Sequence, residues 1–285
     1  MIISERRIHL SVVALQMPVA PASPEPYVTL NQSLTLVDTM ARFHLKGEAR
    51  QYFLGYLWWI LEPLLYVAVF YVVFEKLLQN RQPDFLYFLI VGKLSFIWFS
   101  KSVNQASNSL VMNKGLIAQV YLRKELLPMA VIHQGFYRQV VIFAFLLILL
   151  LVGGYAPGSV WLWLVPIALI QALLVAGCGM LAALLVCLQR DFRFVVQMGT
   201  LFLLFMSGVF WDINAIADET ARQWLLRLNP VAALIDAYRQ VLMLGAQPNL
   251  SILTWALFEA VVLMGLATWL YGRLQFWIAR RVVAR

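Results

Sequence analysis

The sequence is short of charge. Lys, Arg, Asp and Glu make up 13% of its 285 residues, against 62% hydrophobic residues and a mean hydropathy of +0.78. Soluble domains carry about 25% charge and about 45–50% apolar residues. Half that charge cannot wet a soluble fold of this size, so a soluble enzyme is all but excluded and an integral membrane protein is expected. Cysteine is scarce as well. Cys178 and Cys187 stand nine residues apart in one apolar run, about 13 Å along a helix and too far for a disulfide. The histidines are only His9, His44 and His133, with no H-E-x-x-H and no metal-ligand spacing. A phosphate-cradling G-x-x-x-x-G-K-[ST] is missing too: Gly92-Lys93 is followed by Leu94, and Tyr87 stands where the first glycine would be. This chain is therefore not expected to bind ATP in that manner. A serine hydrolase would have to join Ser207 to His133 with no flanking motif. The net charge of +8 would suggest nucleic acid in a soluble chain, but in a membrane protein it reports basic cytoplasmic loops.

What is present is long apolar runs. A spanning helix needs about 20 mostly apolar residues. Six candidates are expected, at about 52–76, 84–110, 129–152, 160–188, 194–211 and 250–272. The third and fourth are separated by Gly153-Gly154-Tyr155-Ala156-Pro157-Gly158-Ser159, a dense turn signal. With the N-terminus inside, 14 Lys and Arg fall on cytoplasmic segments and 5 on outer ones, which favours both termini in the cytoplasm. Residues 1–28, with prolines at 18, 21, 24 and 26, read as a flexible extension. The expected fold class is an all-α integral membrane protein. It has six transmembrane helices, an N-terminal amphipathic interfacial helix, and a re-entrant outer helical pair before the last span.

The segments between spans carry their own patterns. In 33–50, Leu36, Met40 and Phe43 make an apolar stripe beside Asp38, Arg42, Lys46 and Arg50, which suits a helix lying on the inner membrane surface. Its basic residues also suit anionic phosphate. The 108–128 loop mixes Asn113, Lys114, Arg123, Lys124 and Glu125 with Leu116 and Tyr121. It is either a short helix docking a cytosolic partner or a plain connection. In the outer 212–249 segment, Asn229-Pro230 reads as an N-cap with proline in the first turn, and Gly245 as a stop. Backbone dipping into the membrane there must be shielded by protein.

Charges within spans default to function. Glu62, just before the kinking Pro63, either pairs with Lys93 or Lys101 or takes part in proton coupling with Glu259. Aromatics crowd the first two spans. They form an interfacial belt, and the mid-span surplus offers flat faces on which sugar rings can slide.

Several stretches in chain order resemble one family. Leu54-Gly55-Tyr56-Leu57-Trp58-Trp59-Ile60-Leu61-Glu62-Pro63-Leu64-Leu65 is similar to the opening pattern of polysaccharide ABC exporter permeases, the ABC-2 group that exports O-antigen, capsule and teichoic acid. Asn113 to Ile117, Val120-Tyr121 and Glu125 to Pro128 resemble its cytoplasmic coupling segment. Arg190-Asp191, and Leu228-Asn229-Pro230 with Tyr238-Arg239, resemble its later motifs. Arg123 stands where the family usually has proline, and Glu48-Ala49 replace the usual Arg-Tyr.

The resemblance implies one ABC-2 type transmembrane domain over 29–285, which is a half-channel without cofactor of its own. Its partners would be a second copy and two ATP-binding cassette subunits carrying ATP and Mg. Its cargo would be undecaprenyl-linked polysaccharide, with O-antigen the leading class, exported across a bacterial inner membrane. By the same resemblance, Arg42, Lys46 and Arg50 would meet the lipid head group. Trp58, Tyr66, Phe70, Phe96, Trp98, Phe99 and Phe205 would line the conduit. Asn113, Lys114, Leu116, Tyr121, Arg123, Lys124 and Glu125 would couple to the ATPase. Glu62, Lys93 and Glu259 would be the intramembrane polar set, and Asn229, Pro230, Tyr238 and Arg239 would shape the outer pair. A proton-coupled carrier, or an ABC-2 exporter of drugs or small lipid-like molecules, stays as the alternative.

Overall fold

In the computed structural model the described residues are 29–283 apart from 52, 78–83 and 121, and they are helical with no strands. The N-terminal extension, Tyr121 and residues 284–285 lie outside them. Helix α1 (Leu30–Gln51) opens with a capping box: Thr29 N–H donates to Gln32 Oε1 at 2.9 Å, and Gln32 N–H to Thr29 Oγ1 at 3.4 Å. A 3₁₀ turn, Gly55–Leu57, leads into α2 (Trp58–Phe70), which widens into a π-helical turn at Tyr71–Leu77. Next come α3 (Phe85–Ser107), the short α4 (Ser109–Met112) and α5 (Lys114–Gln119), and then α6 (Leu126–Val152). Asparagine side chains turn back on the backbone at the breaks. Asn108 Nδ2 donates to Asn104 O at 3.1 Å and Asn113 Nδ2 to Ser109 O at 2.8 Å, offering the chain an alternative to a continued helix. After the glycine-rich turn, a 3₁₀ segment (Ser159–Trp163) feeds α7 (Leu164–Leu188). Helices α8 (Phe192–Met206), α9 (Glu219–Leu228), α10 (Pro230–Leu242) and α11 (Leu250–Val283) complete the chain.

Among the described residues, five helices are long and apolar enough to cross a membrane: Gly55–Phe74, Phe85–Ser107, Leu126–Val152, Ser159–Leu188 and Leu250–Val283. The stretch expected as a fifth span, 194–211, differs. It is helical only to Met206, and α8 has 15 residues. That is about 22 Å of helix, less than the roughly 30 Å of a hydrocarbon core. The chain then turns at Ser207 and Gly208, where Gly208 adopts φ 66°. Residues 207–209 are buried in the protein, the condition under which non-helical backbone is tolerated at membrane depth. Helix α11 departs in the other direction: its 34 residues run about 51 Å, so it extends well beyond a bilayer core.

Helices α3 and α7 form the centre, with α6, α10 and α11 around them. Small residues set the closest approaches. A Cβ on Gly177 would lie 2.8 Å from the Met264 backbone nitrogen, so α7 and α11 meet backbone to backbone there. Helix α1 lies on α6 through Val37 and Ala41. The expected stripe is thus displaced: Leu36 and Phe43 point outward, and only Met40 turns toward the core. In contrast, α2 is barely covered, with Pro63 its one buried residue, and α8 buries only Thr200.

The two ends of the bundle differ. At one end lie α1 against the start of α6, α5 against the tail of α11, and the end of α7, whose Leu188 carbonyl accepts from Arg281 at 3.2 Å. At the other lie the 153–158 turn, where Tyr155 meets Tyr87, and the start of α11, where Trp255 Nε1 donates to Arg227 O at 2.9 Å.

Candidate functional site

The uncovered faces of α2 and α8 carry a run of aromatic rings. Tyr66 and Phe70 lie one turn apart with centroids 6.3 Å apart, and Phe70 meets Phe210 at 6.0 Å. Phe210 in turn meets Phe205 at 5.7 Å. From Phe70 the run continues through Phe74 (6.2 Å) and Phe85 (5.2 Å) to Phe88 (6.0 Å). The fold therefore joins three expected conduit residues, Tyr66, Phe70 and Phe205, into one seam. Trp58 stands at the start of the same helix, partly exposed. Phe96, Trp98 and Phe99 do not belong to it: they are 2%, 3% and 4% exposed, inside the subunit core. Trp98 packs on Phe136 and Phe143 of α6. An even density of aromatics along α3 could not reveal which of its faces turns inward. Phe210 was missed because it follows the glycine turn that ends α8. Its nearness in sequence to Phe205 was the available signal.

Polar residues of α2 and α3 lie beside the same seam. Of the two possible partners, Glu62 pairs with Lys101. Lys93 instead sits over the Tyr66 ring, 4.9 Å from its centre. Asn104 Nδ2 donates to Thr200 Oγ1 at 2.9 Å and ties α3 to α8. Glu259 lies elsewhere, half-buried on α11, with Oε2 lacking a partner among the described residues.

At the basic end, Arg42, Lys46 and Arg50 point outward at four-residue intervals, which puts them along one side of α1. Arg42 also bonds Asp38 at 2.9 Å. Two carboxylates of α1, Asp38 on the same stripe and Glu48 beside it, latch the helix to α6; neither was assigned from the sequence. Asp38 accepts from Tyr137 Oη at 2.5 Å and contacts His133 Nε2 at 3.3 Å. The Tyr137 hydrogen bond is the foremost reason its carboxyl is held below the usual range, with Arg42 and His133 adding to it. Glu48 accepts from Gln134 at 2.7 Å and from buried Arg138 at 3.0 Å. The polar H-Q-x-x-Y-R group inside an apolar run was the signal for this latch. His44, nearby on α1, has its pKa lowered by burial.

The expected coupling segment divides into inward and outward residues. Arg123 is exposed and pairs with Glu125 at 2.5 Å. Lys114 is half-exposed, Asn113 caps α4, and Leu116 packs on the core. Lys124 is a correction: it is buried, its ammonium donates to Leu122 O at 2.8 Å, and burial lowers its pKa. Its side chain is nonetheless part of the wall of the groove between α5 and the tail of α11. Tyr121 lies outside the described residues. Between α5 and the tail of α11 is a groove of about 360 Å³, lined in part by Ile117, Val120, Leu122 and Phe276.

The residues expected on the outer side hold the short turn after α8. Asn229 Oδ1 accepts from Ala232 N–H at 3.1 Å, capping α10, while its Nδ2 donates to Ser207 Oγ at 3.0 Å. Pro230 takes the first helical position, where its missing N–H costs nothing. Arg239 donates to Gly208 O at 2.7 Å, Val209 O at 3.1 Å and Phe88 O at 3.1 Å, and stacks on the Phe88 ring at 3.3 Å. Tyr238, 1% exposed, packs on Phe143. Among the described residues no group of His, Cys, Asp and Glu could hold a metal ion, and both cysteines are free.

Several apolar helices of spanning length, with one short helix ending in a buried turn, define a multi-pass membrane protein. The chain belongs to the ABC-2 type transporter family, whose family model matches residues 35–243. It is 30% identical over 216 residues to the O-antigen export system permease protein RfbA of Myxococcus xanthus, covering 74% of this chain and 82% of that protein. To the RfbA permease of Klebsiella pneumoniae it is 24% identical over 234 residues, 81% and 89% of the two chains. To the polysialic acid transport protein KpsM of Escherichia coli it is 26% identical over 243 residues, 83% and 90%. The chain has the features of a permease subunit of a polysaccharide ABC exporter.

Proposed function

We infer that this chain is the transmembrane half of an ATP-driven exporter that moves lipid-linked polysaccharide, O-antigen foremost, across a bacterial inner membrane. The observation that carries this reading is the aromatic seam on the uncovered α2 and α8 faces. Lipid can cover an apolar face alone, but the Glu62–Lys101 pair and Lys93 beside this one need cover from hydrocarbon. A second copy of the chain provides it, with the seam turned toward a shared conduit. Aromatic faces attract sugar rings without fixed hydrogen-bond geometry, which suits a long polymer moving past. The family and the names of the similar proteins support the cargo class.

In this reading α8 and the turn after it make the sixth crossing, shortened because α9 and α10 re-enter from the outside and meet it. Both termini are then cytoplasmic, and α1 lies in the inner interface with Arg42, Lys46 and Arg50 toward the lipid phosphates. Two separate ATP-binding subunits carry ATP and Mg and dock at the groove between α5 and the tail of α11, contacting Lys114, Arg123 and Glu125. ATP hydrolysis is theirs, and this chain is a transport subunit.

The test is reconstitution of the permease with its ATP-binding partner and measurement of ATP-dependent glycan translocation. Replacing Tyr66, Phe70 and Phe205 together by Leu is expected to lower translocation about tenfold or more while the complex still assembles. Translocation by the permease alone, driven by a proton gradient through Glu62 and Glu259, would refute the reading.

A further inference from the structure

The seam between α2 and α3 holds a charge that the aromatic path does not explain. Glu62 and Lys101 pair with each other, while Lys93 shares only the longer-range field of Glu62 and makes no ion pair of its own among the described residues. Two ammonium groups against one carboxylate leave the cluster with a positive surplus. Lys93 is eight residues into α3, about 12 Å from the helix start and inside a bilayer core. A lysine there is costly to insert and is kept for a pathway or a partner. The Tyr66 ring holds the ammonium on one side. Its three N–H donors have no hydrogen-bond acceptor among the described residues, and the side chain is half-exposed beside the open seam.

We propose that Lys93, framed by Tyr66 and the Glu62–Lys101 pair, is a transient binding site for an oxyanion moving along the seam. The oxyanion is a phosphate of the lipid carrier or an acidic group on the glycan. This rests on the export reading of the seam. Neutral sugar rings need only the aromatic faces, whereas a charged group in a low-dielectric passage needs a counter-charge. One surplus cation provides it. Because Glu62 neutralises Lys101, the site does not become a trap, in keeping with the requirement that a conducting site bind well enough to admit its cargo and weakly enough to release it.

Binding can be measured on the purified full-length permease in uncharged maltoside detergent, by microscale thermophoresis. The background is Arg42→Gln, Lys46→Gln, Arg50→Gln, which removes the interfacial cations. The probes are farnesyl pyrophosphate with farnesol as control, and trigalacturonate with maltotriose as control. Lys93→Met is expected to weaken at least one anionic probe by about tenfold or more, the loss of a charge-assisted contact. Lys93→Arg is expected to keep binding within about threefold, and the neutral probes should not change. Loss confined to farnesyl pyrophosphate identifies the carrier phosphate as the source; loss confined to trigalacturonate identifies the glycan. Equal binding of both anions by Lys93→Met and the background chain, or no binding by the background chain, would overturn the proposal. Should Lys93→Met not fold, Lys93→Gln against Lys93→Arg gives the same comparison. No ATPase is needed, so a failure of ATP-driven export with anion binding intact would fault the exporter reading and leave this site standing.

Discussion

Replacing Arg239 tests the account of the outer turn most directly. Its guanidinium serves three carbonyls, and two of them, Gly208 and Val209, lie in the turn where no helix supplies a donor. Phe88 lies in the first turns of α3, where the helix ladder also uses its carbonyl. Arg239→Ala therefore strands two buried carbonyls, at about 1–3 kcal/mol each. It also loses a stacked cation–π contact worth about 1–2 kcal/mol when desolvated. A total near 4 kcal/mol is expected, since a water entering the vacated polar site can hydrogen-bond a stranded carbonyl and offsets part of the loss. Arg239→Lys keeps a charge but only as a point donor that cannot fork across the turn, so about half that loss is expected. Thermal unfolding of the purified permease in detergent, followed by size-exclusion profile, reads the difference. A drop of roughly 10 °C for Arg239→Ala corresponds to this magnitude for a chain of this size. A midpoint within about 2 °C of the unsubstituted chain would mean that the turn is held by something other than Arg239.

The α1 latch should weaken with acid in two stages. Burial lowers the His44 pKa, so the folded state resists a proton that the unfolded state accepts; the contribution is present above the ordinary value of 6.5 and is lost as pH falls from there. Asp38 is also depressed, so its contribution is full above the ordinary 3.8 and is lost as pH falls from there through its lower folded value. The protection of α1 amides, with exchange corrected for its intrinsic pH dependence, is expected to fall first below about pH 6.5, and His44→Asn should abolish that first fall; unchanged protection between about pH 7.5 and 5.5 would contradict it. Gly177→Ala should cost about 1–3 kcal/mol of stability because its Cβ meets the Met264 backbone nitrogen at 2.8 Å. Gly199→Ala, with open space around it, should cost nothing by the same thermal measurement. Glu62→Leu alone should lower the unfolding midpoint by leaving Lys101 unpaired in the seam, and adding Lys101→Leu should recover most of the loss.

How much was legible depended on range. The spans around α3, α6, α7 and α11 were visible because apolar runs interrupted by turn residues need no tertiary information. The Asn229 cap and Pro230 were visible for the same reason, since a cap is satisfied within four residues. The short α8 was not, because an 18-residue uncharged run looks alike whether it spans or stops at Gly208. Its end depends on a bond from Arg239, thirty-one residues on. The aromatics of α3 were misplaced because Phe96, Trp98 and Phe99 differ from Tyr66 and Phe70 only in which neighbour covers them. Lys124 looked like a docking residue by composition and proved to be buried.

The sequence by itself determined that this chain lives in a membrane, since its low charge leaves no other solvent for 62% hydrophobic residues. It also determined which end of the bundle is basic and where α10 is capped, both local properties of composition and spacing. Only the tertiary structure decided which face of each apolar helix is free. It alone paired Glu62 with Lys101 while leaving Lys93 on Tyr66, and it alone bound α1 to α6 through Asp38 and Glu48. Those outcomes turn on contacts between residues far apart in sequence, and an apolar helix in lipid carries no polar stripe to announce which side its neighbours take.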